Sequence, residues 1–152
     1  MFHFSRKIIC SIEAVLYVAL AGSTAPVRAR AITRRQNIPE RYLEQPLQRL
    51  VRCGILRGVR GPRGGYLLAR EPERIRLDEI VTAVRGLGSD AESEHATALS
   101  ALGRDVVLPV FAELDAMAME RLSRISIADL MRPAQPEARL REHAGTVKMM
   151  SA

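Results

Sequence analysis

Apolar residues near the start of the chain recur every three to four positions, at Ile8, Ile9, Ile12, Val15, Leu16, Ala19 and Leu20. This spacing predicts an amphipathic helix, capped near Ser5 and stopped at Gly22. Residues 22–26 read as a loop, and a short helix is expected over 27–35. Asn37, Ile38 and Pro39 break the chain. Pro39 suits the first position of a new helix, where its missing N–H leaves nothing unpaired. That helix, 39–52, turns Leu43, Leu47, Leu50 and Val51 inward. Its outward stripe is Arg41, Gln45, Gln48 and Arg52, with Glu44 beside it. Pro46 removes one backbone hydrogen bond and should kink the helix, and Gly54 should end it. Two short segments, 55–59 and 66–69, flank Arg60-Gly61-Pro62-Arg63-Gly64-Gly65. This order predicts a strand, a glycine-rich basic tip and a second strand.

Beyond Pro72, Leu77, Ile80, Val81 and Val84 define a further helix, ended by Gly86. Residues 87–104 are small and polar without a period, and carry Asp90, Glu92 and Glu94. Val107, Val110, Phe111, Leu114, Met117, Arg121 and Leu122 then predict a long helix over 105–123, with Pro109 confined to its first turn. Residues 125–130 read as an extended link into a short turn, and the chain from Pro133 onward as a mobile tail. The expected fold is mainly α with a small β-hairpin: a head over 1–86, a loop over 87–104, a helical segment over 105–132 and a tail over 133–152.

Composition sharpens this picture. Residues 1–70 hold 13 Lys+Arg against 3 Asp+Glu, a net of +10, whereas residues 71–152 hold 10 against 14, a net of −4. A GC-rich genome would explain why 21 of the 23 basic residues are arginine, but not why they concentrate on one half. A basic half points to a polyanion. The 6 Phe+Tyr and no Trp are too few for a base-stacking platform for single strands. Two cysteines 43 positions apart make no disulfide framework, which suits a reducing cytoplasm. Arg6 and Lys7 before an apolar stretch superficially resemble a secretory signal. Ser11 and Glu13 interrupt that stretch, so we expect a helix, neither exported nor membrane-spanning.

A short helix, a break, a second helix with a polar outer face and a basic hairpin make a winged helix-turn-helix. Arg, Glu and Gln side chains on the second helix suit base edges in a major groove. Arg60 and Arg63 on a slim glycine frame suit a minor groove, whose negative potential favours arginine. Enzymatic readings fail, because the glycines of 61–65 lie between strands and His3, His95 and His143 have no partner at motif spacing. Glu92, Glu94, His95 and Asp105 offer metal-compatible atoms at unremarkable spacing, and no metal is expected there. Cys53 ends the recognition helix, where oxidation could disturb DNA binding. A helix C-terminus disfavours a thiolate, however, so packing is expected for it and for Cys10.

Ile38-Pro39-Glu40-Arg41-Tyr42-Leu43-Glu44-Gln45, Leu50-Val51-Arg52-Cys53-Gly54-Ile55-Leu56 and Val59-Arg60-Gly61-Pro62-Arg63-Gly64-Gly65-Tyr66-Leu67-Leu68-Ala69 resemble the Rrf-two family of bacterial winged-helix repressors. That family includes the iron–sulfur cluster regulator and the nitrite-sensitive repressor. The likeness runs from Phe4 to Met131. It implies a homodimer on double-stranded DNA, paired through the long C-terminal helix and reading a near-palindromic operator. It places Tyr42, Glu44 and Gln45 on the recognition helix and Arg60 and Gly61 on the wing tip. Arg41 stands where the family often has a small polar residue. With Gln48 and Arg63, these are the expected DNA contacts. The cluster-binding members carry three cysteines in the loop that 87–104 matches, and here there are none. We therefore expect no cofactor, and regulation by a small ligand, a thiol or a partner protein. The competing expectation is a winged-helix protein-interaction module that does not bind DNA specifically.

Overall fold

The computed structural model describes residues 5–87 and 99–133. Helix α1 spans Arg6–Ala21, α2 Ala29–Gln36 and α3 Glu40–Arg52. Strands β1, Leu56–Val59, and β2, Gly65–Leu68, form an antiparallel hairpin, followed by a 3-10 turn at Pro72–Arg74. Helix α4 is Leu77–Val84, and α5 is Leu108–Ser123. Residues 127–133 form a short closing helix. Among the described residues no helix is long and apolar enough to cross a membrane.

The inner face of α1 is rotated from the expected stripe. Ser11, Ala14, Val15 and Val18 are buried, while Ile9 is 56% exposed. Ser11 is tolerated inside because its hydroxyl donates to the Lys7 carbonyl at 2.7 Å. Helix α2 starts later than the spacing suggested, because Val27 pairs with Tyr66 and is held extended. Pro39 is the residue before α3, with ψ of 143°, and not its first helical residue.

Helices α2 and α3 close by the same device. Asn37, at φ of 53°, donates to the Arg34 carbonyl, while Ile38 donates to that of Thr33. Gly54 donates to Val51 and Ile55 to Leu50 in the matching pattern, a Schellman motif. Helix α3 continues through Pro46, which is buried.

Leu43, Leu47 and Leu50 of α3 meet Val15 and Val18 of α1, Ile32 of α2, and Ile80 and Val81 of α4 in one core. Each such aliphatic side chain contributes about 1.5–3 kcal/mol on burial. The closing segment joins this core. Leu77 donates to the Ile125 carbonyl at 3.0 Å, Ile127 donates to that of Ile75 at 2.9 Å, and Ile127 is fully buried. Residues 127–133 are a helix where a turn was expected. Ser126 and Asp129 cap its start reciprocally, Ser126 N–H to Asp129 Oδ2 at 2.9 Å and Asp129 N–H to Ser126 Oγ at 3.2 Å.

The long helix also begins earlier than residue 105. The chain is helical from residue 101 and passes through a wider turn, Gly103–Val107, before α5. There the Leu108 N–H donates to the Gly103 carbonyl, five residues back. Pro109, which has no N–H to donate, follows directly in the first turn of α5. The expected loop over 87–104 therefore ends before residue 101, and Asp90, Glu92, Glu94 and His95 lie outside the described residues, as do 134–152 and His143.

Candidate nucleic-acid interface

With Leu43, Leu47 and Leu50 turned into the core, the 3.6-residue repeat leaves Arg41, Glu44, Gln45, Gln48 and Arg52 exposed along α3. Tyr42 differs from its neighbours. It is half-buried against the core, and Lys7 Nζ lies 5.6 Å from its ring centroid. The same ammonium donates to the carbonyl of Leu87. Tyr42 therefore offers a ligand less surface than the other expected contacts.

The hairpin pairs Leu56 with Leu68, Arg57 with Leu67, Gly58 with Tyr66 and Val59 with Gly65. Beyond the last pair, Arg60, Gly61, Pro62 and Arg63 are all exposed. Gly61 has φ of 111°, a conformation that a side chain would oppose, and its carbonyl accepts from the Gly64 N–H at 2.9 Å. The apex is thus narrow and basic.

Two arginines that the sequence reading counted only as charge join these parts. Arg28 Nη2 donates to the Pro62 carbonyl at 2.6 Å, and Arg30 Nε lies 3.5 Å from Glu40 Oε1. The start of α2 thereby touches both the wing tip and the first turn of α3. Neither partner is legible from periodicity, because Pro62 lies 34 residues from Arg28. Burial pushes the Tyr66 hydroxyl pKa upward, and the nearby Glu44 carboxylate adds to it. The expected contacts on α3 and on the wing are brought to adjoining elements of one head.

Residues 4–133 match the family described as Rrf2, iron-dependent transcriptional regulator. The chain belongs to the Rrf2 family. An HTH-type transcriptional regulator of Synechocystis is 37% identical over 120 residues, covering 79% of this chain and 81% of that one. IscR of Klebsiella pneumoniae is 43% identical over 74 residues, which span 49% of this chain and 45% of that protein. The solved structure of T. potens IscR superposes with a TM-score of 0.67 at 29% identity, covering 88% of both chains. This Rrf2 chain is a DNA-binding winged-helix transcriptional regulator, mainly α with a hairpin wing, and its relatives are regulators and not enzymes.

An iron–sulfur cluster needs about four ligands, mostly thiolates. Cys10 is buried in α1, and burial pushes its thiol pKa upward, with Glu13 adding to the effect. Cys53 is exposed beyond the last turn of α3, which corrects the expectation that it is a packing residue. No group of three or more His, Cys, Asp or Glu that could hold a metal occurs among the described residues. Asp105 is exposed on the wide turn, and residues 88–98 contain no cysteine. This donor set does not fit a cluster.

Proposed function

We propose that this Rrf2 regulator is a homodimeric, cytoplasmic repressor that reads a near-palindromic operator. In this reading α3 enters the major groove, with Arg41, Glu44, Gln45 and Gln48 at base edges or phosphates and Tyr42 at its margin. Arg60, Gly61 and Arg63 enter the adjacent minor groove. The observation that carries it is the union of an exposed polar α3 face with an exposed Arg-Gly apex through Arg28, just before α2, and Arg30 in its first turn. The surrounding basic half supplies the sequence-independent attraction to phosphates. Because the cysteines do not fit a cluster, regulation falls to a small ligand, a thiol or a partner protein. The protein-interaction reading, in which the hairpin and α3 meet a protein partner, would need an apolar face there, and α3 presents none. Selection of bound duplexes from a random pool tests the proposal. It should enrich two inverted half-sites, with repression of a reporter placed behind them. A pool without any enriched motif would overturn it.

A further inference from the structure

The apex of the wing is held by little of its own. Only four residues pair on each side of the hairpin, and a two-stranded ribbon of that length is marginal by itself. Residues 60–64 extend beyond the last pair, Val59 with Gly65. The head reinforces the ribbon at two heights. One pair below the apex-side end of the ribbon, where Tyr66 faces Gly58, Val27 and Tyr66 exchange both backbone bonds, at 2.9 and 2.8 Å. A Cβ on Gly65 would lie 2.4 Å from the Val27 carbonyl oxygen, so only glycine allows this approach. At the apex, the next residue, Arg28, donates its guanidinium to the Pro62 carbonyl at 2.6 Å.

We propose that Arg28 is a positioning residue for DNA recognition, fixing the wing apex to the start of α2 and so setting where Arg60 and Arg63 stand relative to α3. Residue 27 anchors the wing by its backbone and residue 28 by its side chain. Arg30 ties the same turn to Glu40, so apex and recognition helix are referred to one fixed point. The bond is charge-assisted and directional, which a neutral side chain of the same bulk would not reproduce. Its exposure to solvent limits its worth, so the consequence is geometric more than stabilising. The inference rests on the reading that the wing meets DNA.

Two measurements on the full chain test it, and the first needs no DNA. Backbone order parameters at Gly61 and Gly64 should fall from about 0.85 toward 0.6 in Arg28→Ala, with those of α3 unchanged. The second uses the duplex enriched by selection, against a scrambled duplex of equal length. Arg28→Ala should lose on the order of threefold in affinity. In an Arg60→Ala background the same change should lose less than in the parent, because its effect runs through the wing and only Arg63 remains there to be displaced. Unchanged order parameters would overturn the proposal. So would additive losses with a shallower salt dependence, which would make Arg28 an independent phosphate contact. If no duplex is enriched, the functional reading fails, whereas the order parameters still decide whether Arg28 holds the apex.

Discussion

Arg60 stands on an apex shaped for approach and not for packing, since the residues around it are exposed and none joins the core. Arg60→Ala should therefore weaken binding to the selected duplex by about 1–3 kcal/mol while leaving the thermal midpoint unchanged. Equal affinity of mutant and parent at matched salt would refute the minor-groove role. Arg60 and Arg63 were legible because an arginine on a glycine frame has no use in a core. Arg28 was not, because its meaning lies in a carbonyl contributed by a distant segment. The family resemblance, and not the outward stripe, puts Tyr42 among the expected contacts. Its ring instead leans on the core beneath Lys7, an aromatic's usual compromise between apolar body and polar tip. The cysteines separate in the same way: spacing excluded a ligand set, but only the fold distinguishes buried Cys10 from exposed Cys53. Protein purified without oxygen should be colourless. Visible charge-transfer absorbance with stoichiometric iron and sulfide would show that one of the two thiols is a ligand.

Element order, the helical closures and the hairpin were all readable, since each follows from local chemistry: glycine or asparagine after a periodic run, proline at a break, arginine-rich glycine between strands. What escaped was set by contacts between distant segments. Val27 looks helical until Tyr66 claims its backbone, and residues 125–130 look like a link until Ile127 enters the head core. The early start of the long helix escaped for another reason: Pro109 argued against it, and the chain is helical ahead of that proline through a wider turn. Helix α5 is also clamped to the head by a pair that no periodicity reveals. Arg85 Nη1 and Nη2 donate to Asp115 Oδ2 and Oδ1, both at 2.8 Å. The Arg85 hydrogen bonds hold the Asp115 carboxyl below its ordinary 3.8. A depressed carboxylate pKa stabilises the fold above the unfolded value and ceases to do so as pH falls through the folded one. Asp115→Asn should thus melt slightly below the parent near neutral pH, and the gap should close as pH falls below 3.8. A gap that persists undiminished in acid would show that the ion pair is not its source.

The apolar stripe that runs from the wide turn along α5 has no cover among the described residues. Val107, Val110, Phe111, Leu114 and Met117 are between 37% and 61% exposed, whereas Met119 and Leu122, on another side of the helix, pack against the head. The head already has a closed core without it, so among the described residues this stripe adds nothing to the fold. A contiguous row of large apolar side chains on an otherwise complete domain marks an interface. A second copy satisfies it most simply, because two-fold pairing lays the stripe of one α5 against the same stripe of the other. Such a dimer would carry two wings and two α3 helices at a fixed separation. Helix-turn-helix dimers address half-sites about one DNA turn, roughly 34 Å, apart. Light scattering at micromolar concentration should therefore return twice 16.8 kDa for the parent. Phe111→Asp with Leu114→Asp should return 16.8 kDa with the helical content retained, because neither side chain belongs to the head core. The monomeric variant should keep weak, salt-sensitive attraction to duplex DNA and lose its preference for the paired half-sites over a single one, since the pairing and not the head supplies that preference. A parent that scatters as a monomer, or a variant that remains a dimer, would place the interface elsewhere.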